Sequence, residues 1–209
     1  MVKYFYHIYF KNKYKLSSNR LSNYFGMNIL IIFFDIMYCI KCGNKTELVV
    51  PDGDNKTRQV CTVCGYIHYI NPNIIVGILP VKEDRILLCK RAIEPGYGKW
   101  TLPSGFMEIG ESLEQGAKRE AKEEANLQVK ILHLQTTYSL PKIGQVYMLY
   151  LSEIVNDDFA PMDETLEVRL FSIQDVPWEN IAFSSVTFAL EKYVDDYNNG
   201  VKNQCYSNY

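Results

Sequence analysis

Residues 105–127 read Gly-Phe-Met-Glu-Ile-Gly-Glu-Ser-Leu-Glu-Gln-Gly-Ala-Lys-Arg-Glu-Ala-Lys-Glu-Glu-Ala-Asn-Leu. The second half of this stretch has the marks of a helix. Ser112 followed by Gln115 fits a capping box, in which each residue satisfies the other's backbone amide. Asn126 suits a left-handed C-cap, because Asn tolerates positive φ better than most residues. At about 100° per residue, Gln115, Lys118, Lys122 and Asn126 share one side with Arg119 beside them. Leu113, Ala117, Ala121 and Leu127 define the opposite side. Glu120 and Glu124 fall among those apolar residues, and Glu123 flanks them. The helix is therefore expected to aim three carboxylates at the protein body.

A buried carboxylate without a partner is expensive. Three close together also raise one another's pKa values. A divalent cation relieves both penalties, since hard cations such as Mg²⁺ take oxygen ligands from carboxylates and substrate phosphates. Spacings of three and four residues bring the three side chains to one region of the helix surface. The plain alternative is a solvated acidic helix paired with Lys118 and Lys122.

The same stretch resembles the Nudix box, G-x5-E-x7-R-E-U-x-E-E-x-G-U with U a bulky aliphatic. Gly105, Glu111, Arg119, Glu120, Glu123, Glu124 and Leu127 match it. Ala121 is smaller than usual, and Asn126 replaces the last Gly. The resemblance implies an α/β/α sandwich around a mixed sheet. It implies hydrolysis of a nucleoside diphosphate linked to another group. Glu120, Glu123 and Glu124 would hold Mg²⁺ or Mn²⁺, and Arg119 would orient a catalytic Glu through an ion pair. Glu111 would reach the metal through water or favour the helix N-terminus.

The chain has 209 residues, a net charge of −2, 47% apolar and 22% charged residues, as expected of a globular protein without a general pull toward nucleic acid. Residues 1–36 differ. They hold Lys3, Lys11, Lys13, Lys15 and Arg20 against one acid, Asp35. Without those residues, 17 basic groups face 23 acidic ones, a net −6. The apolar run 29–34 is too short for a membrane span, and Ile36-Met37-Tyr38 is not a signal cleavage site. Residues 1–36 are read as an extension, poorly ordered or preceding the true start at Met37. A targeting segment is the alternative. The location follows: cytoplasmic, or an organelle if the segment is a genuine leader.

Cys39-x2-Cys42 and Cys61-x2-Cys64 follow, 18 residues apart. That spacing falls in the zinc-ribbon range, and a Gly after each pair suits a tight knuckle. Residues 37–71 are therefore assigned to a ribbon holding one structural Zn²⁺, with disulfides as the alternative. Lys41, Lys45, Lys56 and Arg58 are offset by Glu47, Asp52 and Asp54, too little positive charge for a nucleic-acid reader.

The main domain is assigned to 72–198, with strands at 74–81, 86–90, 129–134, 146–154 and 167–173, and a final helix at 183–197. Glu83-Asp84 reads as a hairpin turn and 156–163 as an acidic loop. The polar tail 199–209 is expected to fray. Arg91 ends a strand, and by the resemblance would contact substrate phosphates, as would Gly105; a surface Arg is the alternative. Glu164 and Glu167 are candidates for a general base, with solvated loop acids as the alternative. Tyr97 and Tyr138 are candidates for stacking on a base.

The resemblance widens to zinc-ribbon Nudix hydrolases acting on ADP-ribose and FAD. It rests on the two Cys pairs, Asn71-Pro72, Leu87-Leu88-Cys89-Lys90-Arg91, Gly98-Lys99-Trp100-Thr101-Leu102-Pro103 and Ala182-Phe183-Ser184-Ser185. NADH pyrophosphatases also carry a ribbon, but this chain lacks their Ser-Gln-Pro-Trp-Pro-Phe array. The expected activity is hydrolysis of ADP-ribose or FAD to two phosphomonoesters. NADH hydrolysis and a silent Nudix-fold binding module are the alternatives. The expected partner is a small nucleotide, with neither nucleic acid nor membrane; a homodimer is left open.

Overall fold

The computed structural model describes residues 37–202 and 204–208. The reading of 1–36 as an extension lies outside the described residues. The chain divides into two compact units between Tyr69 and Ile70.

In the first unit, β1 (Thr46–Val49), β2 (Arg58–Cys61) and β3 (Ile67–His68) form a small antiparallel sheet in that order. Two knuckles flank it. In each, a Gly amide donates to the carbonyl of the Cys four residues back: Gly43 to Cys39 at 2.8 Å and Gly65 to Cys61 at 3.2 Å. Both glycines have positive φ, 72° and 68°, a conformation that side-chain-bearing residues rarely adopt.

The second unit contains β4 (Asn73–Lys82), β5 (Arg85–Arg91), β6 (Trp100–Thr101), β7 (Ser104–Phe106), α1 (Leu113–Ala125), β8 (Val129–Leu140), β9 (Gln145–Ile154), β10 (Thr165–Ser172), α2 (Ser184–Asn199) and β11 (Tyr206–Ser207). The sheet runs β10-β5-β4-β9-β8-β11, with β6 against β5 and β7 against β4. It is mixed: β4–β9 and β8–β11 are parallel, and the other pairs are antiparallel. Among the described residues, no helix is long and apolar enough to cross a membrane.

The central strands are apolar on both faces, and alternate residues serve opposite cores. Leu79, Ile86, Leu88 and Leu149 pack with Val186, Ala189 and Leu190 of α2. Val76, Ile78, Leu87, Cys89 and Tyr150 pack with Ala117, Ala121 and Ala125 of α1. The expected α/β/α sandwich is therefore present. The alanine stripe of α1 has no side chain longer than a methyl, so the helix axis lies close to the sheet.

β4 and β5 pair directly only at Val81–Ile86 and Lys82–Arg85. Beyond that they separate, and residues 100–106 fill the gap. A Cβ on Gly77 would stand 2.4 Å from the Ser104 Cβ and 2.6 Å from the Pro103 carbonyl oxygen, so only glycine admits this approach. The wedge brings Ser104 and Gly105 against α1.

Two readings of secondary structure differ from what is observed. β8 continues to Leu140, well past the expected 134, because register shifts at Ile131/His133 and Leu134/Thr136 break the two-residue alternation. The tail does not fray throughout. Tyr206 and Ser207 add a strand beside Thr136 and Thr137, and Asn208 exchanges hydrogen bonds with the Ser139 backbone at 2.6 and 3.0 Å. Polar side chains supply this docking, so an apolar pattern gives no sign of it.

Candidate functional site

α1 begins and ends as its sequence dictates. The Gln115 amide donates to Ser112 Oγ at 3.2 Å, and the Ser112 amide donates to Gln115 Oε1 at 2.7 Å. Asn126 closes the helix in the left-handed region at φ 51°. Thr-free and capped at both ends, this helix fixes the direction of each acid it carries. Glu120 is 4% exposed and Glu124 7%. Glu123 differs from the inward expectation, since its side chain is 46% exposed. It stands one residue off the buried stripe, at the solvent rim.

Arg119 gathers the acids. Its Nη2 and Nε donate to the two oxygens of Glu111 at 2.8 and 3.0 Å. Its Nη1 donates to Glu120 at 2.6 Å and to Glu123 at 3.2 Å, and Nη2 also donates to the Phe106 carbonyl at 3.1 Å. Hydrogen bonding to Arg119 holds the Glu111 carboxyl below its usual range. Glu111 also accepts the Glu108 amide at 2.7 Å, which ties the loop before α1 to the arginine.

Glu124 is the exception. Burial, with the neighbouring Glu120 charge, pushes its carboxyl up to about 8. Arg91 opposes the rise and Glu164 adds to it. Its Oε2 is buried without a hydrogen-bond partner among the described residues. An orphaned, buried carboxylate oxygen beside a second buried carboxylate is chemically suited to a hard cation, although among the described residues only the four cysteines bring three or more donor atoms together at one point.

Gly105 lies against Glu120: a Cβ there would stand 2.4 Å from the carboxylate. Gly116 was not singled out by sequence. A Cβ on it would stand 2.5 Å from Glu111 Oε1 and 2.8 Å from a Val76 methyl. A glycine in mid-helix costs about 1 kcal/mol against alanine, and that cost is the signal that close packing is needed there.

The loop after β9 is tied to the end of α1. The Met162 amide donates to the Glu124 carbonyl at 3.3 Å, the Ala160 amide to Ala125 at 3.0 Å, and Asn126 Nδ2 to Asp158 at 2.9 Å. This docking brings Glu164 within electrostatic reach of Glu124. Glu167 is elsewhere engaged, with Lys90 at 3.7 Å and with Arg169. Tyr138 packs on Phe188 of α2, ring centroids 5.4 Å apart, and Tyr97 is exposed. Arg91 ends β5 with its Nε donating to the Pro95 carbonyl at 2.8 Å.

In the first unit, the sulfurs of Cys39, Cys42, Cys61 and Cys64 all lie within 4.8 Å of one another. All four are free thiols, so the disulfide alternative is not adopted. Asn44 donates to the Cys42 sulfur at 3.4 Å and draws that thiol down to about 6. Four convergent thiols, two buried and two exposed, make a donor set for a tetrahedral soft-metal site.

Residues 71–189 match the NUDIX domain model, and residues 37–70 match the Nudix N-terminal zinc-ribbon model. The chain belongs to the Nudix family. A Nudix hydrolase of Nitrosomonas europaea of known structure is 46% identical, covers 82% of this chain and 99% of its own, and superposes with a TM-score of 0.77. An ADP-ribose pyrophosphatase of Methanocaldococcus jannaschii is 29% identical over 63% of this chain and 76% of its own length. A NAD-capped RNA hydrolase of Edwardsiella ictaluri is 33% identical over 65% of this chain; the match spans 51%, about half, of that relative.

Proposed function

We propose that this Nudix protein hydrolyses the pyrophosphate bond of a nucleoside diphosphate derivative, with ADP-ribose or FAD as the preferred substrate. The observation that carries the reading is Glu124, whose buried Oε2 has no hydrogen-bond partner among the described residues and whose carboxyl is pushed up to about 8 beside Glu120. Glu120, Glu123 and Glu124 would hold Mg²⁺ or Mn²⁺. Bound there, a metal would offset the charge of the pyrophosphate and lower the pKa of a water, easing loss of the proton that must leave for the oxygen to attack phosphorus.

The chain's own residues divide the remaining work. Arg119 aims Glu120 and Glu123 through its ion pairs and is itself held by Glu111. Gly105 leaves room for the Glu120 carboxylate. Arg91 offers a guanidinium to the substrate phosphates, a geometry suited to paired oxygens. Glu164 is the better candidate for a general base, because its charge reaches Glu124, whereas Glu167 is held by Lys90 and Arg169. The four thiolates would hold Zn²⁺ in a closed structural site, with no position left for substrate.

The names of the relatives favour two substrate classes. The ADP-ribose pyrophosphatase of Methanocaldococcus jannaschii supports the first reading, and the NAD-capped RNA hydrolases support NADH or a NAD-like cap equally. A panel of ADP-ribose, FAD, NADH and NAD-capped RNA with Mg²⁺ or Mn²⁺, with products weighed by mass spectrometry, separates them. Two phosphomonoesters from ADP-ribose or FAD are expected at the highest kcat/KM. Turnover confined to NADH or capped RNA would replace the substrate, and no turnover of any member would overturn the enzymatic reading.

A further inference from the structure

The Ala182-Phe183-Ser184-Ser185 stretch is not used by the acidic cluster, yet its backbone is fixed from both sides. The Ala182 amide donates to the Trp100 carbonyl at 2.8 Å. Phe183 is the N-cap of α2, and its carbonyl accepts the amides of Val186 at 3.1 Å and Thr187 at 3.0 Å. The Phe183 ring lies against Arg91, the guanidinium carbon 4.9 Å from its centroid. On another side, Nε of Arg91 donates to the Pro95 carbonyl, the only hydrogen bond of that side chain among the described residues. Gly96 closes a third side: a Cβ there would come within 3.5 Å of Arg91 Cδ and 3.2 Å of Ala182 Cβ. The Arg91 charge nevertheless reaches both Glu124 and Tyr147. The guanidinium is thus held by one ring face and one edge, and its Nη donors remain for an anion near the acids.

We infer that Phe183 is a positioning residue that presents the Arg91 guanidinium to the diphosphate of the substrate before the substrate arrives. The inference rests on the proposed function for the identity of the anion. An arginine free to rotate loses side-chain entropy when it grips a phosphate, and one already held loses less. An aromatic face attracts the guanidinium; an aliphatic one of similar bulk does not. Phe183 also packs against the α2 core, so the test must separate that packing from the ring's hold on Arg91.

The test is titration of the full chain with ADP in Mg²⁺ by calorimetry, alongside turnover of the best panel substrate. Phe183→Tyr keeps a ring beneath the guanidinium and should bind ADP within about twofold of the unaltered chain. Phe183→Leu keeps apolar bulk and should bind roughly tenfold more weakly, a loss of the size expected for a cation–π contact. Its KM should rise in parallel while kcat changes little. Combined with Arg91→Ala, the Leu substitution should have no further effect. Equal ADP binding by Phe183→Leu and the unaltered chain would overturn the inference. So would a full loss repeated in the Arg91→Ala background, or absence of ADP binding by the unaltered chain. ADP binding that follows Phe183 in a chain that cleaves none of the panel would uphold the positioning role and remove the hydrolase reading. Turnover without dependence on Phe183 would do the reverse.

Discussion

The carboxylate of Glu120 occupies the space that a side chain at residue 105 would need: a Cβ on Gly105 would stand 2.4 Å from its carbon and from Oε1. The glycine that opens the motif and the glutamate fifteen residues later are thus two sides of one contact. The obstacle for a Cβ is the far end of a side chain, which can swing away.

Gly105→Ala should therefore fold, with a change in melting temperature of a few degrees at most, while hydrolysis falls because Glu120 is displaced. Gly77→Ala should behave in the opposite way. Its Cβ would meet the Pro103 carbonyl oxygen at 2.6 Å and the Ser104 Cβ at 2.4 Å, and backbone cannot swing aside. A loss of roughly 2 kcal/mol or more is expected from overpacking. Thermal melts and turnover measured on the same two samples check the contrast.

Glu124→Gln should lower turnover by orders of magnitude, because metal positions both water and pyrophosphate. Without metal it should stabilise the fold in a pH-dependent way. The Glu124 carboxyl sits at about 8 in the folded chain against an ordinary 4.5. Below about pH 4.5 it is neutral in both states and costs nothing. Between 4.5 and 8 the unfolded chain ionises first, so stability drains as pH rises, and above 8 the whole cost is present. The advantage of the Gln variant in chelator should be a few kcal/mol at pH 8 and should shrink toward pH 5. Denaturant titrations at the two pH values measure it. Glu114→Gln, on the solvent side of α1, is the control and should change little.

Glu164→Gln and Glu167→Gln should separate. Glu164 acts electrostatically on Glu124, so its loss should lower kcat by roughly ten- to a thousandfold if it takes the proton of the attacking water. Glu167, already engaged by Lys90 and Arg169, should affect kcat by less than about threefold. Equal effects on kcat would remove the assignment of the base to Glu164.

Cys42→Ser should lower bound zinc and melting temperature together, since a four-thiolate site loses a ligand and ribbon folding is coupled to metal binding. Metal analysis of the purified variant is the direct check. Retention of one zinc per chain would exclude the four-cysteine assignment.

Much of α1 was legible from residues 105–127 because its signals are local. A capping box, an alanine stripe and a left-handed Asn act within a few residues of one another, and the structure places them as read. The two Cys pairs were legible for the same reason, since each knuckle closes over four residues. By contrast, the exposure of Glu123, the docking of 156–164 on the end of α1, and the pairing of Tyr206 with β8 depend on partners far away in sequence. Arg91 shows the division most clearly. Its position before the motif marked it as a candidate, but its hold between the Phe183 ring and the Pro95 carbonyl joins residues 91, 95 and 183. Local hydrogen-bond chemistry wrote the helix and the knuckles into the sequence. The distance from Arg91 to its ring, like that from Gly105 to Glu120, was set only when β4 and β5 parted and residues 100–106 filled the gap.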